Sequence, residues 1–324
     1  MMIMNDKELR EYQQKVAQIL ISEYFPETDF QVDTPIITKN NNIQKYGITI
    51  RPNDSNVAPT FYMEDYIEHD YEPEETALSI CNTFISEKVQ SNVYQRQVDE
   101  LKDFEKCKDK ICYRIINKQK NMDLEESSPT ITIAPDLMIV FYLQVSKDET
   151  CLINNNFIDT WGLTENIEKT LFEIADANTE RLHPTSFQCI TEVLRGVIPD
   201  DLLDELAPDN PFSIPMYVLS NEDHTHGAST ILYRNGKQLR ECFDQLHARF
   251  WVKDIYIIPS SIHEWILVPA LPYITKEKLQ SICQEVNQQQ VPDTEFLSDN
   301  IFSYDINNGF QQRTYTYRQM QQAR

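Results

Sequence analysis

Apolar residues at Leu9, Tyr12, Val16, Ile19 and Leu20 follow a helical stripe behind two capping candidates, Asn5 and Asp6. Residues 30–38 and 43–51 then read as strands across the turn-prone Asn40-Asn41-Asn42, and residues 58–62 as a further short strand. Pro73, followed by Glu74, Glu75 and Thr76, marks a helix start with acids at the positive end of its dipole. That helix runs to about residue 89 and turns Ala77, Cys81, Phe84 and Ile85 inward.

The periodicity of residues 98–117 predicts another helix, closed by a charged loop at 122–129. Strands follow at 137–145 and 150–153, then a helix at 164–181 with Ile167, Leu171, Ile174 and Ala175 inward. Pro184 opens a shorter helix, and residues 199–211 are a proline- and acid-rich linker. Strands at 216–219 and 229–233 precede a helix at 237–249. A hairpin over 254–269 precedes a helix at 275–287, with Leu279, Ile282, Cys283 and Val286 on one stripe. A strand at 300–306, the turn Asn308-Gly309 and a strand at 310–317 follow. The tail carries Arg313, Arg318 and Arg324.

Two strands followed by a helix thus recur near 30–90, 137–181, 216–249 and 255–287. This order predicts an α+β fold of mainly antiparallel sheets with helices on one face. A chain of 324 residues exceeds the usual single domain, and the 122–129 loop divides it into 1–125 and 126–324.

Composition narrows the function classes. An apolar content of 41% builds a core, and the longest apolar run, 137–143, is far too short to span a bilayer. Met1–Arg10 lacks a basic start and an apolar stretch, so no secretory signal is read there and a cytosolic setting is expected. Seven cysteines without paired spacing are expected as reduced thiols. The formal charge of −22 repels phosphate backbones and anionic lipid, so direct nucleic-acid binding and membrane association are not expected. Only six glycines occur, at 47, 162, 196, 227, 236 and 309. No dinucleotide fingerprint, P-loop or serine-hydrolase elbow can be written with that spacing, and no cofactor is expected.

Three constellations carry candidate chemistry. Ser260, Ser261, His263 and Glu264 lie in the polar bend of the 254–269 hairpin. Nucleophilic attack by Ser261 with His263 as base is one reading. Hydroxyls and imidazole that satisfy backbone groups in a tight connection are the plainer one. In an extended segment Glu264 points away from His263, and no glycine stands near to shape an elbow. In the second, His224 and His226 share a strand face beside Asp223, a partial zinc set whose fourth ligand is not completed. Exposed loop histidines are the plainer reading there. The third is acidic: Glu64, Asp65, Glu68, Asp70, Glu72, Glu74 and Glu75 fit no EF-hand spacing and read as a solvated loop or a partner surface. Lys102, Lys106, Lys110, Arg114 and Lys118, interleaved with acids, read as an ion-paired helix, with a phosphate-binding strip as the alternative.

Pro-Ser-Ser-Ile-His-Glu at 259–264, Asn-Val-Ala-Pro-Thr-Phe-Tyr at 56–62, Trp161-Gly162 and Ala177-Asn178-Thr179 occur in order. Residues 216–221 followed by Gly227-Ala228 complete the set. Over residues 43–306 this resembles an uncharacterised family of anaerobic Gram-positive bacteria, a domain of unknown function. The resemblance implies a bacterial cytosolic setting and no activity, and the sequence departs from it at Asp223–His226. A non-enzymatic protein-binding role is therefore expected, through the Glu64, Asp65, Glu68 and Asp70 segment and the Ser260, Ser261 and His263 loop. A hydrolase at Ser261 and His263, or an acidic nucleic-acid mimic, is the alternative.

Overall fold

The computed structural model describes residues 4–53, 58–87, 100–147, 149–208, 210, 213–312 and 315–316. The class is α+β with antiparallel sheets, as the strand–strand–helix order predicts. Contacts divide the chain into two compact units, Met1–Asp103 and Phe104–Arg324.

In the first unit, Asn5 caps helix α1 (Asp6–Ile19): its side chain accepts the N–H groups of Lys7 and Glu8 at 3.1 Å, and Glu8 accepts the Asn5 N–H at 2.8 Å. Tyr12, Val16, Ala17 and Leu20 are buried against strands β1 (Phe30–Asp33), β2 (Ile36–Thr38), β3 (Gln44–Pro52) and β4 (Thr60–Tyr62) and helix α2 (Pro73–Glu87). The strand expected over 30–38 is interrupted at Pro35, yet β1 and β2 keep one register on β3, with Asp33 opposite Thr49 and Ile36 opposite Tyr46. The Gly47 N–H donates to the Pro35 carbonyl at 2.9 Å. Proline has no N–H to return. The buried Gln13 amide of α1 donates to the Gly47 carbonyl instead, at 2.6 Å. Helix α2 turns Ala77, Ile80, Cys81 and Phe84 inward, while Ile85 is 58% exposed, a correction of one position in the expected stripe.

In the second unit the expected 98–117 helix gives way to a single turn, Phe104–Cys107, and then strand β5 (Ile111–Asn117). The run Ile-Cys-Tyr-Arg-Ile-Ile is continuously apolar but for one cation, and burial on both faces outweighs the spacing of the lysines. β5 pairs along its whole length with β7 (Leu137–Gln144), flanked by β6 (Thr130–Ala134) and β8 (Thr150–Leu152). A break at 125/126 would therefore separate paired strands. Contacts place it between Asp103 and Phe104. Helix α3 (Ile167–Leu182) covers β5, with Phe172 stacked on Tyr113 and the Thr179 hydroxyl accepting the Tyr113 N–H.

The remaining strands form one antiparallel sheet in the order β15-β14-β13-β11-β12-β10-β9. They are β9 (Thr185–Cys189), β10 (Tyr217–Asn221), β11 (Asp254–Ser261), β12 (Glu264–Pro269), β13 (Phe302–Asp305), β14 (Gly309–Gln312) and β15 (Tyr315–Thr316). β9 stands where the sequence predicts a helix after Pro184, and a short helix, Asp200–Leu206, lies within the expected linker. Residues expected as a strand at 229–233 coil into a buried 3-10 segment, Gly227–Leu232.

β11 and β12 are apolar on both faces, and a helix covers each. Ile255, Ile257, Trp265 and Leu267 share the face of Phe302 and Tyr304, where Phe243 of helix α4 (Lys237–Phe250) meets the Tyr304 ring at 5.3 Å. Ile258 and Val268 face the other way, onto Leu279 and Cys283 of helix α5 (Lys276–Gln289). On α5, Ile282 and Val286 point out, at 43% and 42% exposure.

Candidate functional site

Arg114 is the one charged residue within β5, placed opposite Val140 in a pleat otherwise filled by apolar side chains. Its guanidinium stacks near the Tyr142 ring, 5.5 Å from the centroid, and its Nη1 lies 3.2 Å from His226 Nε2. A guanidinium only donates, so His226 Nε2 accepts and the imidazole proton sits on Nδ1. Arg114 Nε and His226 Nδ1 are then covered N–H donors without a protein acceptor among the described residues. No carboxylate lies within ion-pair distance of Arg114 among the described residues. Burial lowers the proton affinity of Arg114, and burial followed by the Arg114 charge pulls the His226 pKa down to about 3.

Two further histidines approach this pair. His263, in the tight β11–β12 turn, stacks on His226 with centroids 5.5 Å apart, and its Nδ1 accepts the His226 backbone N–H at 3.0 Å. Its proton therefore sits on Nε2, 3.7 Å from the Glu295 carboxylate. His183, which ends α3, donates from Nδ1 to Asp223 at 3.0 Å, and its Nε2 lies 3.3 Å from the Tyr142 hydroxyl. Burial raises the Tyr142 hydroxyl well above its usual value and pushes the neighbouring Cys112 thiol up to about 12.

The approach of His226 to His263 depends on Gly227. A side-chain carbon there would collide with the Ser220 hydroxyl and the His263 carbonyl, and would stand 2.7 Å from the Asn221 nitrogen. Ser220 already donates to that carbonyl at 2.8 Å, which fixes the hairpin bend against β10.

Ser261 does not meet the His263 ring. Its hydroxyl accepts the His263 backbone N–H at 3.0 Å, while Ser260 donates to Glu264 at 3.0 Å. Asp223, His224 and His226 do not converge either, because the segment is a turn with left-handed backbone at His224 and His226 rather than a strand. Asp223 goes to His183, His226 to Arg114, and His224 to solvent. Among the described residues no group of three His, Cys, Asp or Glu could hold a metal ion. In the acidic stretch of the first unit, Glu64 accepts the Tyr46 N–H at 2.9 Å, Asp65 lies 3.5 Å from Lys45, and Glu75 accepts the Glu72 N–H at 3.0 Å. Asp70 sits in a left-handed turn, and Glu68 is exposed.

Sequence reasoning places His226 and His263 as candidates and misses Arg114, Tyr142 and His183. The signal for Arg114 was a lone cation inside an otherwise unbroken apolar run.

The family model of a family of unknown function (DUF5688) matches residues 9–306, and the chain belongs to that family. No curated protein and no solved structure matches it. No helix among the described residues is long and apolar enough to cross a membrane.

Proposed function

We propose that this member of a family without an assigned activity acts by binding rather than by chemistry. On this reading its second unit recognises a small carboxylate or phosphate at Arg114. One observation carries it: among the described residues the Arg114 guanidinium has no carboxylate partner, and where its Nη1 meets His226 Nε2 two covered donors, Arg114 Nε and His226 Nδ1, lack an acceptor. A covered donor without an acceptor costs about 1–3 kcal/mol, and an anion supplies the acceptor and the countercharge together. The neutral state of His226 keeps its Nδ1–H available as a donor.

The hydrolase alternative draws less support. A serine nucleophile needs its hydroxyl against the accepting nitrogen of the base, and here both His263 Nδ1 and the Ser261 hydroxyl are spent on backbone N–H groups. Contact with a basic protein through the acidic stretch, or mimicry of nucleic acid by it, is weakened in the same way. Glu64, Asp65 and Glu75 serve local structure.

The test is thermal unfolding in chloride, acetate and phosphate at constant ionic strength, for wild type and Arg114→Met. At ten times Kd a bound anion stabilises by about 1.4 kcal/mol, which for a unit of this size raises Tm by roughly 3–5 °C. Saturable stabilisation that disappears in Arg114→Met is expected. Equal responses of the two proteins, or none in either, would discard the reading.

A further inference from the structure

Apart from the histidine cluster, the second unit holds a half-open cavity of about 290 Å³ between the start of α4, the end of the Gly227–Leu232 segment and the β13–β14 hairpin. Its floor is apolar, from the buried side chains of Ile133, Ile231 and Leu239, with Phe310 beside them. Its rim carries Lys237 and Arg240, and no aspartate or glutamate lines it. In a chain of net charge −22 with 51 acidic residues, a lining with two cations and no carboxylate is a local reversal of sign. Lys237 has no ion-pair partner among the described residues, while Arg240 reaches Asp244 only at 3.9 Å. The nearest acid on the hairpin, Asp305, is turned back into its own turn, where it accepts the N–H groups of Asn307 and Asn308 at 2.8 and 2.9 Å.

We propose that this cavity binds a small amphipathic anion, an acidic head on an apolar body, with the head at Lys237 and Arg240 and the body over Ile231 and Leu239. The volume is near the lower end of small-molecule sites, which suits an aryl or short alkyl acid. Burial of an apolar body supplies the affinity, and the rim cations select the charge.

The test uses 4-phenylbutyrate and its uncharged counterpart 4-phenyl-1-butanol, titrated into the full chain and followed by amide NMR shifts. The expected result is saturable shifts at residues 235–239 and 304–310, with the acid binding more tightly than the alcohol. Lys237→Gln, an exposed helix position that leaves folding intact, weakens the acid about threefold and leaves the alcohol unchanged, in keeping with an exposed ion pair. Equal affinity for acid and alcohol, or an acid affinity untouched in Lys237→Gln and Arg240→Gln alike, would overturn the proposal. So would shifts centred on residues 113–115, 226 and 263, which would assign the anion to Arg114 instead. No saturation up to about 5 mM, a free energy weaker than about −3 kcal/mol, would also overturn it.

Discussion

Replacing Gly227 by alanine tests whether the histidine pair is held by close packing of backbone. The glycine is needed for space, since its backbone is not left-handed. The added carbon meets the Ser220 hydroxyl, the His263 carbonyl and, at 2.7 Å, the Asn221 nitrogen, and the last two are main-chain atoms, one in the β11–β12 turn and one in β10. Neither can rotate away. Overpacking of this kind costs about 1–3 kcal/mol, and displacement of Ser220 also breaks its bond to His263, worth about 1 kcal/mol. The expected loss is about 2–4 kcal/mol. All three tryptophans, Trp161, Trp251 and Trp265, lie in the second unit, so urea unfolding followed by tryptophan fluorescence reports on that unit. Gly162→Ala is the control. Gly162 is left-handed with open space around it, so only the backbone term of about 1–2 kcal/mol applies. A Gly227→Ala midpoint within about 0.5 kcal/mol of wild type would refute the packing argument.

Three further outcomes follow from the same geometry. His226 has a folded pKa near 3 against about 6.5 unfolded, so the unfolded chain binds its proton first. Stability from this group is full above about pH 6.5 and falls as pH drops toward 3, by an amount on the order of 4 kcal/mol; the difference between wild type and His226→Gln in urea melts at pH 7 and 4.5 measures it. Burial pushes the thiols of Cys112, Cys242 and Cys283 up to about 12, so a disulfide reagent at pH 8 should reach only the partly exposed Cys151 quickly, and all seven in urea. Fast labelling of a second thiol in the folded chain would contradict the burial assigned here. Asn5→Ala removes the capping box of α1 and should cost the first unit about 1 kcal/mol, read as lost helical circular dichroism on heating.

Local chemistry made parts of this molecule legible. Asn5, Pro73 and Asn308-Gly309 mark their elements because a cap, a helix start and a hairpin turn are set by a few adjacent residues. The strands of the 254–269 hairpin are equally plain from their β-branched runs, although β11 continues through Ser260 and Ser261 and leaves a tighter bend than expected. Two misreadings share one cause. Residues 111–117 and 227–232 are covered by parts of the chain distant in sequence, and their periodicity reports that cover as much as any backbone preference. The recurrence of lysines every four residues around Arg114 predicts an exposed helix there. Arg114 lies in a buried strand because Ile111, Ile115 and Ile116 outweigh them. His226 and His263, 37 residues apart, could be listed as candidates, but their stacking comes from Gly227 and the β10–β12 pairing.

The amide of Gln13 has a consequence for how the first unit assembles. The Gly47 carbonyl is a ladder position whose partner, Pro35, cannot donate, and a helix side chain 34 positions away fills the gap. Until α1 docks, β3 carries an unanswered acceptor between the stretches that pair with β1 and with β2. Until the strands pair, the Gln13 amide, 2% exposed in the folded unit, has nothing to answer. Helix docking and strand registry are thus coupled into one cooperative event. In hydrogen exchange the amides of α1 and of Ile36–Thr38 should open together at a single free energy, and Gln13→Ala should uncouple them.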